Sequence, residues 1–185
     1  MIDCIPSDAT TWTIVHRVAF HETDAMGIVH HSNYLRYCEN ARVAWLETHD
    51  KSYSEWIGTG LHFAVTHAEL DYRRPARFDD RLEVTTWLEW VRGASLAMAY
   101  TIVCRSEILV TGRTEHASIN DEGKVRRIPR EDRLRLSASA LAAHAPDRQR
   151  EDALPSRTRP SRSGSLRAHP PAPTSVPARH RDGRG

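Results

Sequence analysis

The sequence contains no long apolar run. None of its 185 residues lies in a stretch approaching the roughly 18 consecutive apolar residues that a membrane-spanning helix needs. The opening residues, MIDCIPSD, also lack the basic start and apolar centre of an export signal. We therefore expect no transmembrane segment and a cytoplasmic location.

Cysteine is scarce as well. Cys4, Cys38 and Cys104 are three in number and far apart along the chain. This spacing does not match the close cysteine pairs of zinc sites, and an odd, scattered set does not make a disulfide framework. The usage is typical of a protein in a reducing compartment.

The end of the chain lacks the residues that build a core. Residues 137–185 contain no Phe, Trp, Tyr, Ile or Met, but hold seven of the ten Pro and nine Arg. Such a segment buries too little apolar surface to offset the entropy lost on ordering, so we predict a disordered Arg/Pro/Ala/Ser-rich tail. Its four acidic residues leave it at +5, and the rest of the chain carries about −3 because the whole is +2. Without a recognition motif, this basic charge predicts no specific nucleic-acid partner.

The other residues, 11–136, show the patterns of one folded domain. A three- and four-residue period of apolar side chains predicts a long helix over 33–49, with Ser32 as its N-cap, and a short helix follows at 51–58. A two-residue period with turn residues between the runs predicts strands, which we place at 11–20, 61–74, 81–91, 94–105 and 108–120.

One strand, one helix and then a four-stranded antiparallel meander predict an α+β domain whose sheet wraps around the single long helix. Such a sheet has edge strands and an outer face that need protection from water or from other sheets. Trp12, Trp87 and Trp90 are candidates for apolar surface that meets a neighbouring subunit. We therefore expect a homodimer.

The densest chemistry lies between the first strand and the helix, in HETDAMGIVHHSNY at 21–34. A zinc site is one interpretation, but the H-E-x-x-H spacing is missing, and the adjacent His30 and His31 point apart on most backbones. A catalytic carboxylate is the second. Asp24 precedes a turn at Gly27 and the start of a helix, whose free N–H groups can hold a carbonyl oxygen as it gains negative charge. An ordinary polar loop, with Asp24 capping or solvated, is the third.

The motif DxxGIVHHxxYL at 24–35, followed by ENAR at 39–42, resembles the signature of the 4-hydroxybenzoyl-CoA thioesterase family. Within the hotdog-fold superfamily it is most similar to the Tol-Pal-associated acyl-CoA thioesterases. The similarity continues through LDYRRPARFDD at 70–80 and VRGASL at 91–96, and spans roughly residues 12–128. It implies a sheet wrapped around a central helix, in dimers that pair edge to edge and often double into tetramers, with active sites at the subunit interface.

The resemblance also implies roles for individual residues. Asp24 matches the catalytic carboxylate, and the backbone N–H of His31 matches the group that polarises the thioester carbonyl. Either the His31 side chain assists the carboxylate or only its amide matters. Gly27 supplies the turn. The residues assigned to substrate binding, including candidates for CoA phosphates and the pantetheine channel, are Tyr34, Arg73, Arg74, Arg92 and Ser95.

Three positions qualify this assignment. Phe20 stands where the most similar branch has a tyrosine, and Glu22 replaces the first Asp of the family's D-x-D pattern. Glu39 matches the position where a different hotdog branch carries its nucleophile, but here it is expected to pair with Arg42.

The implied function is hydrolysis of an acyl-CoA thioester to a free acid and CoA, without cofactor or metal. A thioesterase acting on acyl carrier protein and a non-catalytic acyl-CoA binder are the alternatives.

Overall fold

The computed structural model of the protein describes residues 5–140. Its elements, in chain order, are β1 (Thr11–Arg17), α1 (Ser32–His49), α2 (Tyr53–Gly58), β2 (His62–Tyr72), β3 (Arg81–Arg92), β4 (Ser95–Cys104), β5 (Glu107–Ile119) and α3 (Arg130–Ser139). The long helix, the short helix and the five strands predicted from the sequence are confirmed, with small shifts at their ends. None of the described helices is long and apolar enough to cross a membrane.

All five strands form one antiparallel sheet in the order β1-β3-β4-β5-β2. The predicted four-stranded meander is therefore wrong in one respect, because β2 pairs with β5 and not with β3. The connection after β2 explains the difference. It is fixed to the start of α1, where Tyr34 Oη accepts a hydrogen bond from Ala76 N (3.0 Å) and Val29 N donates to Ala76 O (2.9 Å). The chain therefore passes the N-terminal end of α1 before it re-enters the sheet as β3.

The core lies between α1 and the sheet. The buried face of α1 includes Tyr37, Ala41 and Trp45, each at most 1% exposed. Burying side chains of this size stabilises the fold by roughly 1.5–3 kcal/mol for each large one. The predicted N-cap role of Ser32 is wrong: Ser32 is the first helical residue, and its hydroxyl pairs with His30 Nδ1 at 2.8 Å.

Two of the three tryptophans expected on the outside are buried, which corrects that prediction. Trp12 is 39% exposed, whereas Trp87 is 1% and Trp90 is 6% exposed. Trp87 packs against Ala99, and the guanidinium of Arg92 lies 4.4 Å from the centre of the Trp90 ring. Both indole rings are covered by their own chain.

The helix α3 was not predicted. Its charged sequence has little apolar periodicity, and ion pairs to the α1–α2 junction hold it in place: Asp132 pairs with Lys51 (2.7 Å), and Arg135 pairs with Asp50 (2.5 Å). Leu136, 1% exposed, adds an apolar anchor. The boundary predicted after residue 136 thus falls inside a helix, and residues 141–185 of the predicted tail lie outside the described residues.

Candidate active site

A tight loop between β1 and α1 holds Asp24. Asp24 N donates to Ile28 O (2.9 Å), and Gly27 N donates to Asp24 O (2.9 Å). One carboxylate oxygen, Oδ1, accepts a hydrogen bond from Met26 N at 2.8 Å. Gly27 has a φ of 71°, a conformation that residues with a Cβ rarely adopt, so the predicted turn is confirmed.

This loop forms one wall of a pocket of about 300 Å³. Five of the predicted site residues line it, namely Asp24, His31, Tyr34, Arg73 and Arg74. The other lining residues are Met26, Ile28, Val29, Tyr72 and Pro75. The loop before α1 and the segment after β2 therefore meet at this pocket. Gly27 shapes the loop without lining the pocket.

The backbone of His31 lies at the positive end of α1. His31 directly precedes the first helical residue, and no described residue accepts a hydrogen bond from its N–H. Its carbonyl oxygen accepts from Tyr72 Oη at 3.2 Å. The exposed side-chain ring lies against that of His30, with ring centres 4.2 Å apart, so the expectation that these two side chains point apart is wrong. The amide thus has no acceptor among residues 5–140, and His31 lines the same pocket as Asp24.

Two tyrosines form the side of the pocket against α1 and β2. Tyr34 is 2% exposed, its hydroxyl is occupied by Ala76 N, and burial raises its pKa. Tyr72 is 50% exposed, and its ring meets Tyr34 edge to face at 5.4 Å between centres. Sequence reasoning did not select Tyr72, although it lies within the LDYRRPARFDD motif; its position beside Arg73 and Arg74 was the available signal.

The buried carboxylate of Glu22 holds the loop against β1 and the start of α1. It accepts hydrogen bonds from His16 Nε2 (3.0 Å) and Ala19 N (2.7 Å), while its backbone oxygen accepts from His30 N (2.9 Å) and Asn33 Nδ2 (2.8 Å). Burial disfavours the charged form of Glu22, but the hydrogen bonds from His16 and Ala19 outweigh it, so the net pKa is lowered. The longer Glu therefore fits here as an ionised structural anchor.

The predicted CoA contacts divide into two groups. Arg73 and Arg74 lie at the pocket, where Arg74 also pairs with Glu107 at 3.0 Å. Arg92 and Ser95 face each other across the β3–β4 hairpin, whose tight turn was predicted. This hairpin is at the far end of the 12-residue β3 from the loop, roughly 35 Å away along an extended strand. Within one chain, the structure does not bring Arg92 and Ser95 to the pocket.

Glu39 lies outside the pocket of Asp24, on the exposed side of α1. Its Oε1 is 3.6 Å from Arg42 Nη2, which confirms the predicted pairing. Within residues 5–140, no group of three or more His, Cys, Asp or Glu side chains is arranged to hold a metal ion.

Comparisons with known proteins identify the family of the chain. Residues 18–153 match the family described as the Thioesterase-like superfamily. The acyl-CoA thioester hydrolase YbgC of Escherichia coli O6:H1 is 37% identical over 87 residues, which is 47% of this chain and 65% of that protein. The acyl-CoA thioesterase YbgC of Haemophilus influenzae is 31% identical over 111 residues, covering 60% and 81%.

A crystal structure of a hypothetical protein, TT1821, from Thermus thermophilus has the same architecture. It matches with a TM-score of 0.67 and 33% identity, over 71% of this chain and 99% of that chain. The resemblance seen in the sequence motif is thereby confirmed. The chain belongs to the thioesterase-like superfamily and has its hotdog fold.

Proposed function

We propose that the protein hydrolyses acyl-CoA thioesters to a free carboxylic acid and CoA in the pocket of Asp24. One observation carries the proposal: Asp24 and His31, whose N–H has no acceptor among residues 5–140, line the same pocket of about 300 Å³ at the positive end of α1. The names of the relatives from E. coli and H. influenzae support the same substrate class.

In this proposal the thioester carbonyl oxygen accepts a hydrogen bond from His31 N–H. As the carbonyl carbon becomes tetrahedral, the oxygen gains negative charge, which the helix end stabilises; one such donor contributes about 10²- to 10³-fold in rate. Asp24 acts in one of two ways. Either its carboxylate attacks the carbon and expels CoA thiolate, leaving an anhydride that water cleaves, or it takes a proton from the attacking water.

The CoA phosphates are proposed to bind Arg73 and Arg74 at the pocket, where the guanidinium of Arg74 exchanges its exposed carboxylate partner for phosphate. Arg92 and Ser95 serve the same ligand only if a second subunit brings its β3–β4 hairpin to this pocket. We therefore propose a homodimer, alone or as half of a tetramer, with composite sites.

The test is the substitution Asp24→Asn. Asn keeps an oxygen for the hydrogen bond from Met26 N, so the fold is retained, but it is neither nucleophile nor base. We expect kcat for release of CoA thiol to fall by roughly 10²- to 10⁴-fold. The matched control is Asp121→Asn, at an exposed carboxylate that pairs with His62 near the opposite end of β2.

An Asp24→Asn protein with near wild-type thiol release contradicts the assignment. Wild-type protein that binds acyl-CoA but releases no thiol across a chain-length panel is a binder and not an enzyme. After a single turnover in water enriched in oxygen-18, label in the Asp24 carboxylate identifies the anhydride route with water attacking the Asp24 carbonyl carbon, because a general base gains no oxygen from the attacking water.

A carrier-protein thioester is the second candidate, and the surface beside the pocket favours it. Phe20, Met26 and Phe78 are 76%, 72% and 55% exposed, and the two Phe rings meet edge to face at 5.8 Å. An apolar patch next to arginines suits an acidic carrier protein. If the carrier is the true substrate, kcat/KM for acyl carrier protein exceeds that for acyl-CoA, and Phe20→Ser reduces only the former.

A further inference from the structure

The loop that carries Asp24 is a very short hairpin. Residues 22–30, here called the Asp24 hairpin, are joined across by two backbone hydrogen bonds, from Asp24 N to Ile28 O (2.9 Å) and from His30 N to Glu22 O (2.9 Å). A two-stranded hairpin is at most marginally stable in water by itself. Its position therefore depends on contacts with the rest of the domain.

Asn33 connects this hairpin to α1. It is the second residue of the helix and is buried, and its Nδ2 donates to the backbone oxygen of Glu22 at 2.8 Å, across eleven positions of the sequence. The free groups at a helix start are N–H donors, which need acceptors, whereas this bond uses the donor of Asn33. The bond therefore caps nothing in α1, and its effect is to join two segments of the chain.

The two proposed reacting groups lie on the two segments that Asn33 joins. Asp24 is in the first arm of the hairpin, whereas the N–H of His31 belongs to the start of α1. The backbone bond from Asn33 N to His30 O (2.9 Å) attaches the second arm to the helix. The side-chain bond from Asn33 to Glu22 attaches the first arm, two residues before Asp24. With both arms attached, the hairpin is restrained from rotating relative to the helix.

We propose that Asn33 is a positioning residue, which holds Asp24 at the distance and orientation from the His31 N–H that thioester cleavage requires. This inference rests on the proposed function, since it concerns the same two reacting groups.

The expected cost of losing the Asn33 donor is mainly geometric. Glu22 O accepts from His30 N as well, so removal of the Asn33 side-chain bond leaves no buried carbonyl without a partner. The free energy of unfolding should therefore change little. Catalysis is more sensitive, because a displacement of about 1 Å between reacting groups lowers a rate by about 10²-fold.

The kinetic test uses Asn33→Leu and Asn33→Asp in the full-length protein. Both side chains are similar in size to Asn, and neither offers Glu22 O a donor at neutral pH. We expect kcat for thiol release from acyl-CoA to fall by roughly 10- to 100-fold, with KM changed by less than about threefold. Asn40→Leu and Asn40→Asp, at an exposed position of the same helix, are the matched controls and retain wild-type kinetics. An acidic residue is favourable in the first turn of a helix, so Asn33→Asp provides the test even if Asn33→Leu does not fold.

Hydrogen exchange measures the attachment of the hairpin without turnover. In a peptide that covers residues 22–30, amide exchange in both Asn33 variants should accelerate by about tenfold, the effect of losing one typical hydrogen bond. Peptides from β3 and β4 should exchange as in the wild type.

Wild-type kcat in the Asn33 variants overturns the inference and leaves the proposed function intact. A raised KM with unchanged kcat also overturns it, because Asn33 then acts in substrate binding. Faster exchange throughout the domain, with a matching loss of unfolding free energy, assigns Asn33 a purely structural role and overturns it too. Faster exchange confined to the hairpin, in a protein whose wild type releases no thiol, retains the attachment by Asn33 and removes the proposed function.

Discussion

A single carboxylate, Glu22, links the strand before the candidate site to the helix after it. Its side chain binds His16 and Ala19 N, and its backbone oxygen binds Asn33. Because Asp24 follows two residues later, the position of the proposed catalytic carboxylate depends on this anchor. The replacement of the shorter Asp by Glu at this position is explained by the reach to His16.

We predict that Glu22→Gln impairs both stability and catalysis. The amide replaces one acceptor oxygen with a donor, which leaves a buried partner unsatisfied at a cost of about 1–3 kcal/mol. Urea unfolding measures the stability, and steady-state kinetics should show a lower kcat with a smaller change in KM, as expected for a positioning residue. Glu47→Gln, at an exposed position of α1, is the control. Wild-type values for both measurements in Glu22→Gln refute the anchoring role.

His116 makes stability depend on pH. Its pKa is lowered from 6.5 to about 4 by burial and by Arg42, so between these values the unfolded chain binds a proton that the folded chain does not. The contribution of neutral His116 to the free energy of unfolding is therefore fully present above pH 6.5. It decreases as the pH drops towards 4, by on the order of 2 kcal/mol at pH 5.

The check is urea unfolding at pH 7 and pH 5 for wild type and His116→Gln. Gln cannot titrate, so the variant should lose about 2 kcal/mol less than wild type over this interval, whatever the carboxylates contribute to both. If wild type and His116→Gln lose the same free energy of unfolding between pH 7 and pH 5, the lowered pKa of His116 is contradicted.

At the scale of elements, the sequence predicted the features that depend on residues close together in the chain. The helix α1, the five strands and the turn at Gly27 were predicted correctly, because each follows from residue types within a few positions. The pairing of β2 with β5 was not, because it depends on Ala76 binding to Tyr34 across the fold. The contact between Tyr72 and His31 follows from that placement, so it was missed as well.

The pairing of β2 with β5 requires the absence of a side chain at Gly112. A Cβ there would overlap the backbone oxygen of Glu69 and the side chain of Leu70. We predict that Gly112→Ala destabilises the protein by roughly 1–3 kcal/mol, because backbone atoms must move apart. Gly58→Ala is the control, since a Cβ at Gly58 meets nothing within 4 Å. Thermal unfolding compares the two, and equal melting temperatures would show that the strands adjust freely.

At the scale of the whole molecule, the two edge strands of the sheet differ in length. The edge strand β1 has seven residues, whereas the edge strand β2 has eleven and borders both the pocket of Asp24, through Tyr72, and a second cavity, through Val65 and Ala68. Val65 and Tyr72 of β2 are 60% and 50% exposed. A long edge strand with exposed apolar residues is a template for pairing with a second chain. The proposed dimer therefore joins two β2 strands and encloses the pocket of Asp24.

We predict that Val65→Lys disrupts this dimer. Lysine is a residue that natural edge strands use to prevent pairing, and two-fold symmetry places the new charge in both copies of the interface. Light scattering after gel filtration should shift from at least twice the 21.0 kDa subunit mass towards a single subunit. Because the sites are proposed to be composite, kcat/KM should fall together with the mass.

The control, Val15→Lys, introduces the same charge at a residue of 67% exposure on β1, and should alter neither quantity. Dissociation by Val15→Lys instead would assign the interface to the β1 edge, and a monomeric, fully active wild type would exclude composite sites altogether.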